Sequence, residues 1–332
     1  MRRLVILLLI LSCLLVGCKA SKNTEQTSTE KKDLETFFDE PSSGKEVGAV
    51  DFALDDPIDT VYSYKGNPLE IPFTITGASA GRTSEIGVLL LVDGVAQPYT
   101  IAYKDGTESA ANYMQVFHLD EGEKVSVNMV FQPVTGKVGE SSSIMAVTIL
   151  EPSFLPKSEN NPRYGAYHSY SATIPRQISF QTDAPNKSLA VSTADYQVRN
   201  LSKEVVDRLS AWGALEALDT TAELSLSVPD SNVIKDNGKT ATVTLQLYGG
   251  PEANFNITLF MNHHPIKIKG ADYLSVHTKK NKMVEATFQI DTADLKERNT
   301  IYAIAAAAGT DDKLEVNNPL KTSSVLMIHK EN

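Results

Sequence analysis

Most of the chain reads as short segments in which apolar and polar residues alternate or apolar residues run together. In the first half these are "LEIPFTI" (Leu69 to Ile75), "GVLLLVDG" (Gly87 to Gly94), "KVSVNMVF" (Lys124 to Phe131) and "SIMAVTIL" (Ser143 to Leu150). Gly, Pro, Asn and Asp separate them. Strict alternation places one face of a strand in a core and the other in water, and an unbroken apolar run of this length suits a strand covered on both faces. Many short strands with turn chemistry between them predict an all-β protein, and no alternation of strands with long helices is present.

The second half repeats the order. "TATVTLQLYGG" (Thr240 to Gly250) parallels "LEIPFTITG", and "NITLFMNHHPIKI" (Asn256 to Ile268) parallels "GVLLLVDGVAQPYTI". "MVEATFQ" (Met283 to Gln289) parallels "SVNMVFQ", and "TIYAIAAA" (Thr300 to Ala307) parallels "SIMAVTIL". The distance from Phe131 to Ile144 is 13 residues, as is that from Phe288 to Ile301. Two diverged copies of one β-sandwich module are expected, and each resembles the broad immunoglobulin-like class. Between them, "NLSKEVVDRLSAWGALEALD" (Asn200 to Asp219) predicts one helix. Ser202 is its N-cap, and Val205, Val206, Leu209, Trp212 and Leu215 lie on one face. That face is expected to pack between the modules and hold them at a fixed angle. The segment "EPSFLPKSENNPRYGAYHSYSATIPRQISF" (Glu151 to Phe180) reads as an insertion with no counterpart in the second copy.

The first residues follow a different pattern. Arg2 and Arg3 precede an apolar run, "LVILLLIL", and the chain turns polar directly after Cys18. From Leu4 to Gly17 there are 14 residues, short of the about 20 that a helical span requires. This is the layout of a secretory signal. Leu15-Val16-Gly17-Cys18 at its end resembles the lipobox of bacterial lipoproteins. The resemblance implies diacylglycerol on the Cys18 thiol, cleavage before Cys18, and anchoring through more than one acyl chain. The domain reading is therefore a signal peptide over 1–17, the lipidated Cys and a flexible tether over 18–48, a first β-sandwich over 49–185, a helical linker over 186–220 and a second β-sandwich over 221–332. The tether is rich in Lys, Glu, Thr, Ser and Gln and has too few apolar residues to fold by itself. Its reach is roughly 30 Å.

Composition narrows the function. Cys13 leaves with the signal and Cys18 carries lipid, so the mature chain keeps no thiol for a disulfide or a metal. After removal of the signal, 315 residues carry 29 basic and 41 acidic side chains, a net −12. That balance argues against nucleic acid and serves solubility.

Several motifs imitate catalytic signatures. "GASAG" (Gly77 to Gly81) has the letters of a nucleophile elbow around Ser79, but a strand follows it where a helix is required. "NGKT" (Asn237 to Thr240) lacks the first Gly of a phosphate-binding loop, and "SSGK" (Ser42 to Lys45) lies in the tether. The six His (118, 168, 263, 264, 277 and 329) form no metal-ligand spacing. Asp51, Asp55, Asp56, Asp59, Asp311 and Asp312 lie in loops and have no calcium-loop spacing, so they read as solvated charge. No catalytic residue, metal site or cofactor is expected apart from the lipid.

The residues singled out for ligand binding are Phe154, Tyr164, Tyr167, His168 and Tyr170, on the long loop of the first module. Such aromatics stack on sugars or anchor protein partners; equally, the loop can fold back and bury them. The expected role is that of a non-enzymatic, membrane-anchored, extracytoplasmic lipoprotein that binds or scaffolds an envelope protein. The alternative is recognition of cell-wall or extracellular polysaccharide. An exposed, coplanar array of Tyr164, Tyr167 and Tyr170 is what a polysaccharide would require.

Overall fold

The computed structural model describes residues 50–55, 61–77, 83–185, 189–193, 195–211, 216–227, 233–236, 238–308 and 318–329. All belong to one compact unit that begins at Glu46. Cys13, Cys18, Ser42 to Lys45, Asp56, Asp59, Ser79, Trp212, Leu215, Asp311 and Asp312 lie outside the described residues.

The first module carries β1 (Asp51–Leu54), β2 (Val61–Tyr64), β3 (Leu69–Thr76), β4 (Ser84–Val92), β5 (Val95–Gln97), β6 (Thr100–Ala102), β7 (Met114–Leu119), β8 (Lys124–Phe131), β9 (Ser141–Leu150), β10 (Tyr170–Ala172) and β11 (Arg176–Phe180). One sheet has the order β1-β3-β8-β6. The other runs β2-β11-β9-β4-β5, with β7 also on β4 and β10 also on β9. Strand β2 pairs in parallel with the last strand, β11. This is the immunoglobulin-like Greek key, in which the first strand splits between the two sheets.

The second module begins with β12 (Val191–Ser192), β13 (Gln197–Asn200) and helix α1 (Lys203–Ala211). It continues through β14 (Ala222–Ser227), β15 (Val233–Lys235), β16 (Thr240–Gly249), β17 (Asn254–Met261), β18 (His264–Ile266), β19 (Tyr273–His277), β20 (Lys282–Asp291), β21 (Arg298–Ala307), β22 (Leu320–Lys321) and β23 (Val325–Ile328). Its sheets are β13-β20-β16-β14 and β12-β19-β17-β21-β23-β15, with β18 on β17 and β22 on β21. Strand β15 again pairs in parallel with the last strand. The protein is therefore all-β, with two tandem immunoglobulin-like sandwiches.

The copies agree at the level of single hydrogen bonds. The Ala146 N–H donates to Thr173 Oγ1 at 3.0 Å, and the Ala303 N–H to Thr322 Oγ1 at 3.0 Å. Thr173 returns its own N–H to the Ala146 carbonyl, as Thr322 does to that of Ala303. The pairs Val147↔Ala172 and Ile304↔Lys321 sit beside these bonds.

This register corrects the reading of Glu151 to Phe180 as an insertion. Strands β10 and β11 have their counterparts in β22 and β23. Only the preceding connection differs, spanning 19 residues (151–169) in the first copy and 12 (308–319) in the second. A two-residue strand, "LK", followed by "TSS" is too short and polar to announce itself by periodicity.

Burial explains the two kinds of strand pattern. β3 and β16 alternate, because the outer face of each four-stranded sheet lies away from its core. Strands β4, β9, β17 and β21 are buried almost throughout. Their inner faces fill the two sandwich cores, which include Ile86, Val88 and Ile144 in one and Ile257, Leu259 and Ile301 in the other. Their outer faces meet each other: Leu89, Leu91, Met145, Val147 and Ile149 of the first module pack on Phe260, Tyr302, Ile304 and Ala306 of the second. The result is four stacked sheets with an apolar seam at the centre. Each fully buried Leu, Ile or Phe in it contributes about 1.5–3 kcal/mol relative to exposure.

The helix is located elsewhere than its sequence pattern predicts. Ser202 does cap it, with Oγ accepting the Val205 N–H at 3.2 Å. Val205 and Leu209, however, pack on Tyr248 and Met283, on the outer sheet of the second module. The expectation that this stripe packs between the modules is thus corrected for Val205 and Leu209. The β-sheet seam holds them together instead, and the segment before α1 supplies β12 and β13 as edge strands of the second module.

Candidate functional site

The seam is approximately symmetric, and each module presents a two-residue turn to the other. In the first, Asp93-Gly94 joins β4 to β5 with φ of 47° and 77°. In the second, Asn262-His263 joins β17 to β18 with φ of 48° and 68°. Two positive φ values in succession make the tight hairpin turn that matches strand twist. Both first residues brace the turn identically: Asp93 Oδ1 accepts the Ser143 N–H at 2.7 Å, and Asn262 Oδ1 accepts the Thr300 N–H at 2.9 Å.

The second residues differ. Gly94 lies against the partner sheet, where a Cβ would come within 2.9 Å of the Asn256 carbonyl oxygen. The Asp93 and Gly94 carbonyls accept from Asn256 Nδ2 (2.8 Å) and Thr258 Oγ1 (3.0 Å). His263 instead carries an imidazole into the seam at a backbone conformation that favours glycine. Its Nε2–H donates to the Pro152 carbonyl at 2.7 Å, and its Nδ1 accepts from the Tyr302 hydroxyl at 3.0 Å. These partners define a neutral imidazole with both nitrogens satisfied.

The long connection of the first module folds over this place and fastens to the second. Tyr164 is buried against Val233, Leu326 and Ile328 and shares a 2.7 Å hydrogen bond with Thr300 Oγ1. Arg298 donates to the Pro156 carbonyl at 2.8 Å, and Lys235 pairs with Glu159 at 2.9 Å. Phe154 stacks on Tyr167 with centroids 4.0 Å apart. His168 is buried, with a positive φ of 61°, and its ring lies 4.5 Å from that of Tyr164 and 5.4 Å from that of His263.

Of the five residues singled out from sequence, Tyr164 and His168 thus belong to the seam. Phe154 and Tyr167 form a half-buried stack, and Tyr170 alone is exposed, at 37 %. The exposed coplanar array of Tyr164, Tyr167 and Tyr170 is not formed.

Sequence reasoning passed over Lys321. This side chain is 9 % exposed and sits beside the two imidazoles. Nζ donates to the His168 carbonyl (3.3 Å), the Thr322 carbonyl (3.1 Å) and Ser324 Oγ (3.1 Å), and lies 4.7 Å from the centre of the Tyr302 ring. Ser324 Oγ also bonds His168 Nδ1 at 3.0 Å. Burial holds the Lys321 ammonium down to about 7. Burial, then the neighbouring His263 and Lys321, holds His168 down to about 3. Burial lowers His263 and raises Tyr302 well above the usual phenol. The cluster is therefore one of basic groups whose charged forms are disfavoured by desolvation.

Lys321 also borders a cleft of about 660 Å³. Its walls are Arg163 to Tyr170 from the first module and β14, Arg208 and the β22–β23 corner from the second. Arg208, held by Glu223 at 3.4 Å and by the Tyr248 hydroxyl, stands on one side, and Tyr167 and Tyr170 stand on the other. Among the described residues no group of three or more His, Cys, Asp or Glu converges as a metal site.

No protein-family model and no curated protein matches the chain. Among solved structures it is similar to the CsuC–CsuE chaperone–tip adhesion subunit complex of Acinetobacter baumannii pili (12 % identity, 83 % of this chain, 98 % of that chain, TM-score 0.21). It is also similar to the fibronectin(III)-like modules of Clostridium thermocellum CbhA (10 % identity, 84 % and 94 %, TM-score 0.20). The fold assignment rests on the chain's own strand order.

Proposed function

We propose that this protein is a non-catalytic binding or scaffolding lipoprotein, anchored through Cys18 to the extracytoplasmic face of a membrane, whose partner is an envelope protein. The observation that carries this reading is the cleft at the seam, built jointly by two modules that are packed as one body. A concave site on a rigid support loses little entropy on binding, and its Tyr and Arg lining is the chemistry that dominates protein interfaces. The lipobox resemblance supports the anchor, and the composition of the tether supports a domain held off the membrane.

Polysaccharide recognition is the second reading. The exposed Tyr170 and the Ser169, Ser323 and Thr322 hydroxyls around the cleft favour it. The rings of Tyr164 and Tyr167, already packed on protein neighbours, weigh against it.

The test is a pull-down from detergent-solubilised membranes with the wild type, an Arg163→Ala/Tyr170→Ala variant and a Val138→Ser control at an exposed site. A stoichiometric protein recovered with wild type and control but lost with the double variant is expected. Retention on purified envelope polysaccharide, with no protein recovered, would replace this reading with the second one.

A further inference from the structure

Lys321 is a departure from the repeat. The register that aligns Thr173 with Thr322 sets Ala172 opposite Lys321, so the first module fills the same place with a methyl group. The sandwich and its seam therefore do not require an amine there. Nor does the amine stabilise its surroundings, since a charge removed from water without a counter-charge is unfavourable. Its three acceptors are two backbone carbonyls and a hydroxyl, all uncharged. Among the described residues no carboxylate acts on it; burial is the sole influence on its titration. A buried amine that borders a cleft and has only uncharged partners marks a site whose counter-charge comes from outside.

Two further basic side chains line the cleft: Arg163, and Arg208 beside Glu223, the one carboxylate among the described lining residues. We propose that the protein partner inserts an acidic side chain into the seam cleft, where its carboxylate meets Lys321 and the Arg163–Arg208 wall. The proposal rests on the binding-module reading and specifies its chemistry. A protein side chain is favoured over an acidic sugar because Tyr164 is buried and Tyr167 is stacked on Phe154, so no exposed coplanar array is formed, whereas Tyr and Arg around a pocket suit an interface anchor. The groups that face the amine are His168, Ser324, Tyr170 and Tyr302, with His263 behind His168 and Glu85 and His264 beyond it. The imidazoles are held neutral, so the proton that accompanies carboxylate binding goes to Lys321.

The probes are the peptide acetyl-Glu-Tyr-Glu-Tyr-Glu-amide and its counterpart with Gln at each Glu. Both are titrated calorimetrically into the full-length protein near pH 8, in phosphate and in Tris, whose ionisation heats differ. The Glu peptide is expected to bind about tenfold or more tightly than the Gln peptide, as a charge-assisted contact requires. It is also expected to take up a proton. Lys321→Met should abolish both effects. Lys321→Arg should keep the preference for Glu and lose the proton uptake.

Equal binding of the two peptides, absence of binding by either, or a Glu preference that survives Lys321→Met would overturn the proposal. So would a Lys321-dependent affinity for oligogalacturonate in place of the peptide. The membrane pull-down repeated with Lys321→Met separates the two readings: a partner retained there means that the binding function stands and the acidic anchor falls.

Discussion

The two modules share strand order, register and even the bonds that brace their turns, and they differ where Gly94 of the first corresponds to His263 of the second and Ala172 to Lys321. The shared features build the architecture. Alternating β3 and β16 close the outside, while the apolar β4, β9, β17 and β21 are buried on both faces and stack the modules. The differing residues build the site. In the first module, Gly94 and Ala172 are small and let the seam close. In the second, His263 and Lys321 bring basic groups to the same interface, under a connection 7 residues longer than its counterpart, 19 against 12. The repeated architecture thus supplies a stable frame, and the chemistry arises where one module breaks the pattern.

The largest effect on this contrast should come from the shared seam. Phe260 is fully buried and stacks on Tyr302 at 5.1 Å. Phe260→Ala should cost about 3–5 kcal/mol, read as a lower denaturant midpoint with loss of a single transition. A change under 1 kcal/mol, roughly that of a surface substitution, would mean that the seam does not hold the modules.

Next comes the small-residue side of the seam. Gly94→Ala meets both a positive φ of 77° and the Asn256 carbonyl, and should cost about 1–3 kcal/mol. Ala172→Lys, which places the amine of the second copy in the first, tests from the other side whether that position tolerates charge.

The basic side should behave in the opposite sense. Lys321→Met should stabilise the fold at pH 7 by about 1–3 kcal/mol. The sign follows from linkage: Lys321 is held at about 7 when folded, against an ordinary 10.5. Between those values the unfolded chain binds a proton that the folded chain does not. The Lys321 contribution to stability is therefore fullest above about pH 10.5 and is lost as pH drops toward 7. His168, held at about 3 against 6.5, adds a second decline from pH 6.5 downward. Melting curves across pH should show both declines in the wild type and only the lower one in Lys321→Met. The smallest effect belongs to the N-cap of the helix, six residues before the cleft-lining Arg208. Ser202→Ala removes its cap at a cost of about 1 kcal/mol and should leave partner binding unchanged in the pull-down.

Much of the frame was legible in the chain before the structure. The matched order of strands, the 13-residue spacing of Phe131–Ile144 and Phe288–Ile301, and the Ser202 cap all have their places in the fold. The continuous apolar runs signalled burial on both faces, but a run does not say what covers it, so the docking of one module on the other was assigned to the helix. The site was less legible. Aromatic content drew attention to Phe154–Tyr170 correctly as a place, but composition does not distinguish a ring that faces solvent from one that clamps a neighbour. His263 carried a signal in hindsight, since "NHH" stands where the first copy has "DG". Lys321 carried none by itself. Within "PLKTSS" it reads as a loop lysine, and only the register that sets it against Ala172 marks it as unusual.

The most direct test of the account is the rigidity of the pair. Spin labels at Val138→Cys and Val198→Cys, exposed sites on the first and second modules, in a chain with Cys13→Ser and Cys18→Ser, would report their separation by double electron–electron resonance. The stacked arrangement predicts one narrow distance distribution that broadens in Phe260→Ala. A broad distribution already present in the otherwise unaltered chain would contradict the shared seam, and with it the cleft that the two copies build together.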